Sequence, residues 1–255
     1  MSTAAKPRVA ITGAAGLIGR VLAGALAEWY GVEAIDRRRR RATWKRADLS
    51  KPRHAVAALE GADLVVDLAA DPSPRLSWDE TRRNNIPTTF NVLEAARSAG
   101  VRRVVYASSN HVTGMYERDE PYASIGAGRY EGLDPAQIPR ITPLDPIRPD
   151  GPYGLSKAFG EAAGRYFADE HGLSVLCLRI GTVNRADRPT TPRQFATLLT
   201  HRDLIALVRS CLEAPEELRF GIYYGVSANT WRFWDIESAE ADLGWESRDN
   251  AEQWR

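Results

Sequence analysis

The stretch "RVAITGAAGLIGR", residues 8–20, places Gly13, Gly16 and Gly19 between a short apolar run and the start of a helical pattern. In such an arrangement Gly13 permits a tight turn, Gly16 lets backbone amides approach a pyrophosphate, and Gly19 allows close packing of helix against strand. The N-terminus of the following helix would face the phosphates. The stretch therefore predicts a dinucleotide-binding strand, loop and helix at the beginning of an α/β fold.

The alternation of strand and helix continues along the chain. Predicted strands occupy residues 8–12, 32–36, 62–69, 102–108, 174–180 and 220–227, and predicted helices occupy residues 17–30, 78–100, 153–171 and 201–213. Strands and helices that alternate with short connections form a parallel sheet covered by helices on both faces. We therefore expect a Rossmann-type, doubly wound α/β fold. Residues 1–181 would form the dinucleotide-binding domain and residues 182–255 a small C-terminal substrate-binding cap.

Residues 115–152 interrupt this alternation. Seven prolines fall in the interval and no helical or strand period survives there. Long loops inside compact domains usually serve a function or are disordered. Because this segment follows a predicted strand, we expect a long loop near the functional site.

The bulk composition excludes several classes of function. The chain has 255 residues, 44% of them hydrophobic, and a formal net charge of +1, which offers no global field for nucleic acid or an anionic membrane. The two cysteines, Cys177 and Cys211, lie in apolar runs without metal-ligand spacing, which indicates buried free thiols in a reducing compartment. No apolar run is long enough to span a bilayer. The sequence predicts a cytoplasmic protein with no metal site, no membrane span and no nucleic-acid partner.

Asp36 ends the second predicted strand and is the candidate for selecting the cofactor. A carboxylate at this position binds both ribose hydroxyls of NAD and repels the 2′-phosphate of NADP. Arg37 and Arg38 follow directly and could grip that phosphate instead. The pattern favours NAD over NADP.

Two further short stretches are placed to contact the cofactor. Asp48 and Leu49 would lie near the adenine, although Asp48 could also cap the next helix. Leu68, Ala69 and Ala70 end the third long strand, where small residues would let the backbone pass beside the cofactor. Both stretches belong to the carboxyl edge of the predicted sheet.

The stretch "SSNHVTG", residues 108–114, puts polar groups at the end of an apolar strand, and "YGLSK" opens a later helix. Tyr153 and Lys157 are four residues apart and share one helix face. A neighbouring cation lowers the pKa of a tyrosine and makes it a usable general base. Ser109, at the strand end, is the candidate to complete this site.

The three motifs "TGAAGLIG", "SSNHVTG" and "YGLSK", in this order, resemble the extended short-chain dehydrogenase/reductase superfamily, also called NAD-dependent epimerases/dehydratases. The resemblance extends from residue 8 to about residue 245. It implies that Ser109 hydrogen-bonds the reacting oxygen, Tyr153 is the base and Lys157 holds the nicotinamide ribose. It also implies that Asn85 supports the proton relay; a helix-interior asparagine bonded to local backbone is the alternative.

The predicted cofactor contacts combine these stretches. They are Gly13, Ala15, Gly16, Leu17, Ile18, Gly19, Asp36, Arg37, Asp48, Leu49, Leu68, Ala69, Ala70, Asn85, Tyr153, Lys157 and Ile180.

Within the superfamily, Asn110 and His111 argue against a dehydratase, because dehydratases carry acids directly after the catalytic Ser or Thr. Nucleotide-sugar epimerases usually have a larger C-terminal region, so a small substrate is expected. "SSNHVTG", "LRIG" (178–181), "YYGVSANTWRFWD" (223–235) and "LGW" (243–245) are similar to uronate dehydrogenases. The long 115–152 segment and "ADEHGLSVLCLRIG" look more like haloarchaeal-type NAD-dependent glucose-6-phosphate dehydrogenases.

Both branches oxidise C1 of an aldose that carries an anion at C6. The resemblance therefore implies NAD-dependent oxidation of a small anionic sugar, a hexuronate or a sugar phosphate, to the lactone. Arg193 would pair with the anion, since arginine binds carboxylate and phosphate bidentately, and Arg185 and Arg188 are nearby in sequence. The predicted substrate contacts are Ser73, Ser109, Asn110, His111, Tyr153, Thr182 and Arg193.

Other roles stay open from the sequence. A sugar epimerase or reductase with tightly held NAD would use the same residues, and a dinucleotide sensor could share the fold without a proton relay. His111 could be a structural turn residue instead of a sugar contact. Family members pair the helices equivalent to residues 78–100 and 153–171, which implies a homodimer.

Overall fold

The computed structural model describes residues 5–38, 42–73 and 76–255. Over these residues, one parallel sheet runs in the order β3-β2-β1-β4-β5-β6-β7. Its strands are β1 (Arg8–Thr12), β2 (Gly31–Asp36), β3 (Lys45–Arg46), β4 (Leu64–Asp67), β5 (Arg103–Ser109), β6 (Ser174–Ile180) and β7 (Phe220–Gly225). The α-helices are α1 (Leu17–Ala25), α2 (Pro52–Leu59), α3 (Trp78–Ser98), α4 (Tyr122–Gly126), α5 (Pro152–His171), α6 (Gln194–Thr197), α7 (His201–Glu213) and α8 (Glu237–Leu243).

The two faces of the sheet carry separate apolar cores. Because successive strand residues point to opposite faces, Val9 and Ile11 of β1 pack with residues of α1 and α7, whereas Ala10 packs with residues of α2, α3 and α5. Helices on both faces are the doubly wound arrangement that the sequence predicts. The free thiols of Cys177 and Cys211 are both buried, as expected.

The sheet grows in one direction from β1 to β3 and then in the other from β4 to β7. The order therefore reverses between β1 and β4. In open α/β sheets the crevice at such a reversal, outside the carboxyl ends of the strands, is where ligands bind. The last strand, β7, pairs with β6, so the C-terminal residues 220–225 complete this sheet.

Several element boundaries differ from the predicted ones for local reasons. The helix after the glycine loop ends at Ala25 and continues as a 3-10 turn through Glu28. β5 extends one residue further than predicted, to Ser109, and so carries that side chain at the strand end. The two-residue edge strand β3 has no apolar run that could have revealed it.

The segment 115–152 is more ordered than the predicted loop. It contains α4 and a 3-10 turn at Pro135–Gln137, and a 3-10 helix at Asn110–Arg118 leads into it. Backbone hydrogen bonds tie Ile141 to Phe233 (2.8 Å) and Arg148 to Val112 (2.9 Å). These bonds fix the segment between the end of β5 and the C-terminal region.

Candidate active site

A cavity of about 680 Å³ lies at the carboxyl ends of the strands, at the reversal between β1 and β4. It is lined by the glycine loop, by the ends of β2, β4, β5 and β6, and by the start of α5. Most predicted site residues line it: Gly13, Gly16, Leu17, Ile18, Gly19, Asp36, Arg37, Asp48, Leu49, Leu68, Ala69, Ala70, Ser109, Asn110, His111, Tyr153, Lys157, Ile180, Thr182 and Arg193.

In the glycine loop, Gly13 and Gly19 lie so close to neighbouring backbone that a side chain would not fit at either position. Gly13 has φ of +62°, and a Cβ there would lie 2.6 Å from the carbonyl oxygen of Leu68. A Cβ on Gly19 would lie 2.6 Å from Cα of Ala14, inside the preceding turn. Both approaches bring the N-terminus of α1 against the cavity, where a pyrophosphate fits.

Asp36 is buried at the end of the cavity that the glycine loop lines, and backbone N–H groups anchor its carboxylate. Its Oδ2 accepts from the N–H of Ala15 (2.9 Å), and its Oδ1 accepts from the N–H of Arg38 (2.8 Å). A carboxylate has about four acceptor sites, so lone pairs remain for ribose hydroxyls. This carboxylate ties the tip of the glycine loop to β2, and the pair of loop and acid fits a dinucleotide.

Asp48 forms a turn beside this end of the cavity. Its Oδ1 accepts from the N–H and hydroxyl of Ser50 (3.2 and 2.7 Å), while Lys51 occupies the N-cap of α2. The capping alternative for Asp48 is therefore wrong.

Ser109, Tyr153 and Lys157 converge at the other end of the cavity. Ser109 Oγ accepts from the N–H of His111 (3.2 Å) and is hydrogen-bonded to the Tyr153 hydroxyl. Burial raises the pKa of Tyr153 to about 12, and a hydrogen bond with Ser109 opposes that rise. The three residues come from β5 and from the first turns of α5, and tertiary structure alone brings them together.

The Lys157 ammonium lies between the Tyr153 ring and the end of β5. Its ammonium donates to the carbonyl oxygen of Ala107 (2.7 Å) and lies 5.7 Å from the centre of the Tyr153 ring. Burial lowers the pKa of Lys157 to about 8, and the charge of Asp67 opposes that shift. The ammonium thus bonds the end of β5 and stays beside the Tyr153 ring.

His111 lines the cavity beside the base. Its ring centre lies 5.7 Å from that of Tyr153 at an interplanar angle of 75°. Its Nδ1 lies 2.7 Å from Oδ2 of Asp150. This bond leaves Nε2 to face a substrate, so the geometry supports a hydroxyl contact.

Arg193 reaches the same end of the cavity but is already paired. Its Nε and Nη2 donate to the two carboxylate oxygens of Glu117 at 2.5 and 2.7 Å, and Nη1 donates to Thr182 Oγ1 (3.2 Å). The Asn110 amide satisfies both its groups when its nitrogen donates to the carbonyl of Ile180 (3.1 Å) and its oxygen accepts from Arg193 Nη2 (2.7 Å). Glu117 is not recognisable from the sequence, because one glutamate in an aperiodic segment belongs to no motif.

Three predicted residues lie outside the lining. Asn85 accepts from the N–H of Asp71 (2.9 Å) and donates to the Asp71 carbonyl (3.1 Å), 14 residues away in the loop after β4, and its amide also donates to Ser156 Oγ of α5 (3.4 Å). Ala15 reaches the site through its bond to Asp36, and the Ser73 N–H donates to Asp71 Oδ1 (3.1 Å). The lining includes residues that the sequence analysis did not select: Pro72, Asn84, Thr88, Ser108, Gly181 and Val183.

The sequence also raised the questions of an anion-binding arginine cluster, a metal site and a membrane span. Arg185 and Arg188 are exposed and do not line the cavity. Within residues 5–38, 42–73 and 76–255, no three His, Cys, Asp or Glu side chains are grouped to hold a metal ion. In the same part of the chain, no helix is both long and apolar enough to cross a membrane.

Comparison with known proteins places the chain in a family. The profile of the NAD dependent epimerase/dehydratase family matches residues 9–232. The chain is 37% identical to an L-arabinose 1-dehydrogenase (NAD(P)(+)) of Haloferax volcanii, over 96% of this chain and 97% of the relative. It is 33% identical to an NAD-dependent glucose-6-phosphate dehydrogenase of the same organism, over 95% and 94%.

A solved structure agrees with these relatives. A variant of the uronate dehydrogenase of Agrobacterium tumefaciens, complexed with NAD, superposes with a TM-score of 0.82 at 30% identity, covering 98% of this chain and 88% of that one. Both branches that the sequence resembles are thus confirmed, as are the fold and NAD as cofactor. The chain belongs to the NAD-dependent epimerase/dehydratase family and is an NAD-dependent oxidoreductase.

Proposed function

We propose that this enzyme oxidises the anomeric C1 hydroxyl of a small aldose to the lactone. The observation that carries the proposal is the meeting of Ser109, Tyr153 and Lys157 beside the glycine-loop cavity. The names of the relatives support a sugar as substrate. Two of them act on sugars with an anionic group, which supports the predicted anionic substrate, and one acts on an uncharged pentose. The remote end of the sugar would lie at Arg193.

In the proposed reaction, Tyr153 takes the proton of the C1 hydroxyl as the carbonyl forms. Ser109 donates its hydroxyl proton to the developing carbonyl oxygen, and His111 orients a neighbouring hydroxyl. Lys157 holds the ribose of the cofactor at the end of β5. Bound NAD supplies the acceptor for the hydride that leaves C1.

A screen of NAD reduction tests this function. Formation of NADH is measured with glucose, galactose, L-arabinose, glucuronate, galacturonate and glucose 6-phosphate, and the product is identified by NMR. We expect turnover with at least one aldose and a lactone as product. NAD that co-purifies and does not exchange, together with no net NADH, would instead indicate an epimerase.

The pKa of Tyr153 is expected to fall when NAD binds. Burial holds this pKa at about 12, so the phenol stays protonated at neutral pH, and the cationic nicotinamide favours the phenolate. Tyrosinate absorbance, titrated with and without NAD, measures the shift, and subtraction of the Tyr153→Phe titration isolates this residue. The same titration curve in both states would contradict activation by charge.

Asp36→Ala is expected to change cofactor preference. Loss of the carboxylate removes the acceptor for ribose hydroxyls and the repulsion of a 2′-phosphate, so the NAD over NADP ratio of kcat/KM should fall at least about tenfold. Glu33→Ala is the control, because Glu33 lies on the same strand and pairs with Lys45 at 2.7 Å, outside the cavity. An unchanged ratio in Asp36→Ala would remove Asp36 from cofactor selection.

We also propose a homodimer paired through α3 and α5. Phe90, Leu155 and Tyr166 on these helices are exposed apolar side chains, which is typical of an interaction surface. Sedimentation equilibrium measures the mass in solution, and a monomer would contradict the pairing. The cytoplasmic location stays a prediction.

A further inference from the structure

The guanidinium of Arg193 is almost fully occupied by the protein itself. It donates twice to Glu117, once to Thr182 and once to the Asn110 amide oxygen. A guanidinium has five N–H donors, so a single donor remains. Bidentate recognition of a substrate carboxylate or phosphate needs two. In this structure, Arg193 cannot grip an anion in that way while Glu117 stays in place.

The position and burial of Glu117 keep its carboxylate beside Arg193. It lies on the 3-10 helix Asn110–Arg118, directly after the catalytic end of β5, and only 17% of its side chain is exposed. An incoming anion that displaced it would leave a poorly solvated carboxylate without its partner. Such a separation is strongly unfavourable, because the unpaired charge is not returned to bulk water.

A second carboxylate adds to the negative charge at this end of the cavity. Asp150 bonds His111 at 2.7 Å, and its charge acts on Arg193 together with that of Glu117. Two carboxylates thus face one arginine and one histidine. The two carboxylates therefore place negative charge beside Arg193, the side chain that would otherwise bind an anion.

From these contacts we propose that Glu117 makes the sugar site select an uncharged aldose over the corresponding uronate or sugar phosphate. The proposal rests on the proposed function and names its substrate class. Arg193 then acts as a positioning residue, which holds Asn110 and Thr182 against the sugar. The 115–152 segment has a role as well, because it contributes both carboxylates, Glu117 and Asp150.

The first test compares matched sugars on the wild-type holoenzyme. Galactose with galacturonate, and glucose with glucuronate and glucose 6-phosphate, differ only at the C6 end. We expect kcat/KM for the uncharged member of the preferred pair to exceed that for its anionic partners at least about tenfold, because like charges at the site exclude the anion. A wild-type preference for the uronate or phosphate overturns the proposal.

The second test removes the charge of Glu117 and keeps its shape. Glu117→Gln is expected to raise the ratio of kcat/KM for the anionic sugar to that for the uncharged one at least about tenfold. Glu131→Gln is the matched control, since Glu131 is an exposed carboxylate of the same segment, and its ratio should equal that of the wild type. An unchanged ratio in Glu117→Gln overturns the role of Glu117.

The outcomes separate this inference from the proposed function. If no aldose reduces NAD with the wild-type enzyme, the proposed function is wrong. If aldoses are oxidised but anionic ones are preferred, only the selection by Glu117 is wrong. The wild-type comparison needs no variant, so the proposal can be overturned even if Glu117→Gln does not fold.

Discussion

Tyr153→Phe is expected to lower kcat for sugar oxidation by about 10²- to 10⁴-fold, the range that a positioned acid or base contributes. The phenol hydroxyl is the only group removed, and the aromatic ring that packs against His111 is retained. Binding of NAD should therefore remain close to that of the wild type. Steady-state kinetics and fluorescence titration with NAD measure the two effects separately.

Tyr166→Phe is the matched control for this variant. Tyr166 lies on the same helix, α5, but its side chain is exposed and does not line the cavity. Its kcat should equal that of the wild type. Normal turnover in Tyr153→Phe would show that another group takes the proton, and lost NAD binding would show that the phenol serves the cofactor instead.

Arg179→Met is expected to lower the free energy of unfolding by about 3–5 kcal/mol, the cost of breaking a buried ion pair. Arg179 lies on β6 with a side chain that is 1% exposed, and it donates to both oxygens of Glu161 at 2.9 Å. It also donates to the hydroxyl of Tyr224 (3.0 Å). Methionine fills much of the space but leaves the buried Glu161 carboxylate with only its bond to Ser108 (2.5 Å) and the charge of nearby Lys157.

Chemical denaturation measures this loss in the free energy of unfolding. Two further variants serve as comparisons. Arg179→Met combined with Glu161→Leu should recover much of the stability, because replacing both members of a buried pair by apolar groups is often neutral. Arg83→Met removes an exposed pair with Asp79 (3.1 Å) and should cost about 0.5 kcal/mol or less. A small loss in Arg179→Met would show that water or a neighbour compensates Glu161.

The strength of local patterns explains which parts of the fold were predictable. β1, β5 and β6 are continuous apolar runs between helices, so their positions in the chain and their parallel direction followed from the sequence. The edge strand β3 was missed, because a pair of basic residues forms strand only through its neighbour β2. The short helix α4 was missed because its five residues are too few to show a helical period, and Tyr122 at its start packs against the distant Phe233 (ring centres 5.1 Å apart).

In the candidate site, too, local patterns were predictable and contacts between distant residues were not. The glycine loop, Asp36 and the Tyr153–Lys157 spacing are local patterns, and the sequence by itself determined the family, the cofactor and the candidate catalytic residues. The charge around Arg193 depends on residues far apart in the chain: Glu117 and Arg193 are separated by 76 positions. Only the tertiary structure decided that this arginine is neutralised and that Lys157 turns to the Ala107 carbonyl. A sequence shows which ionisable groups exist, but their partners and burial, and hence their chemistry, are set by packing.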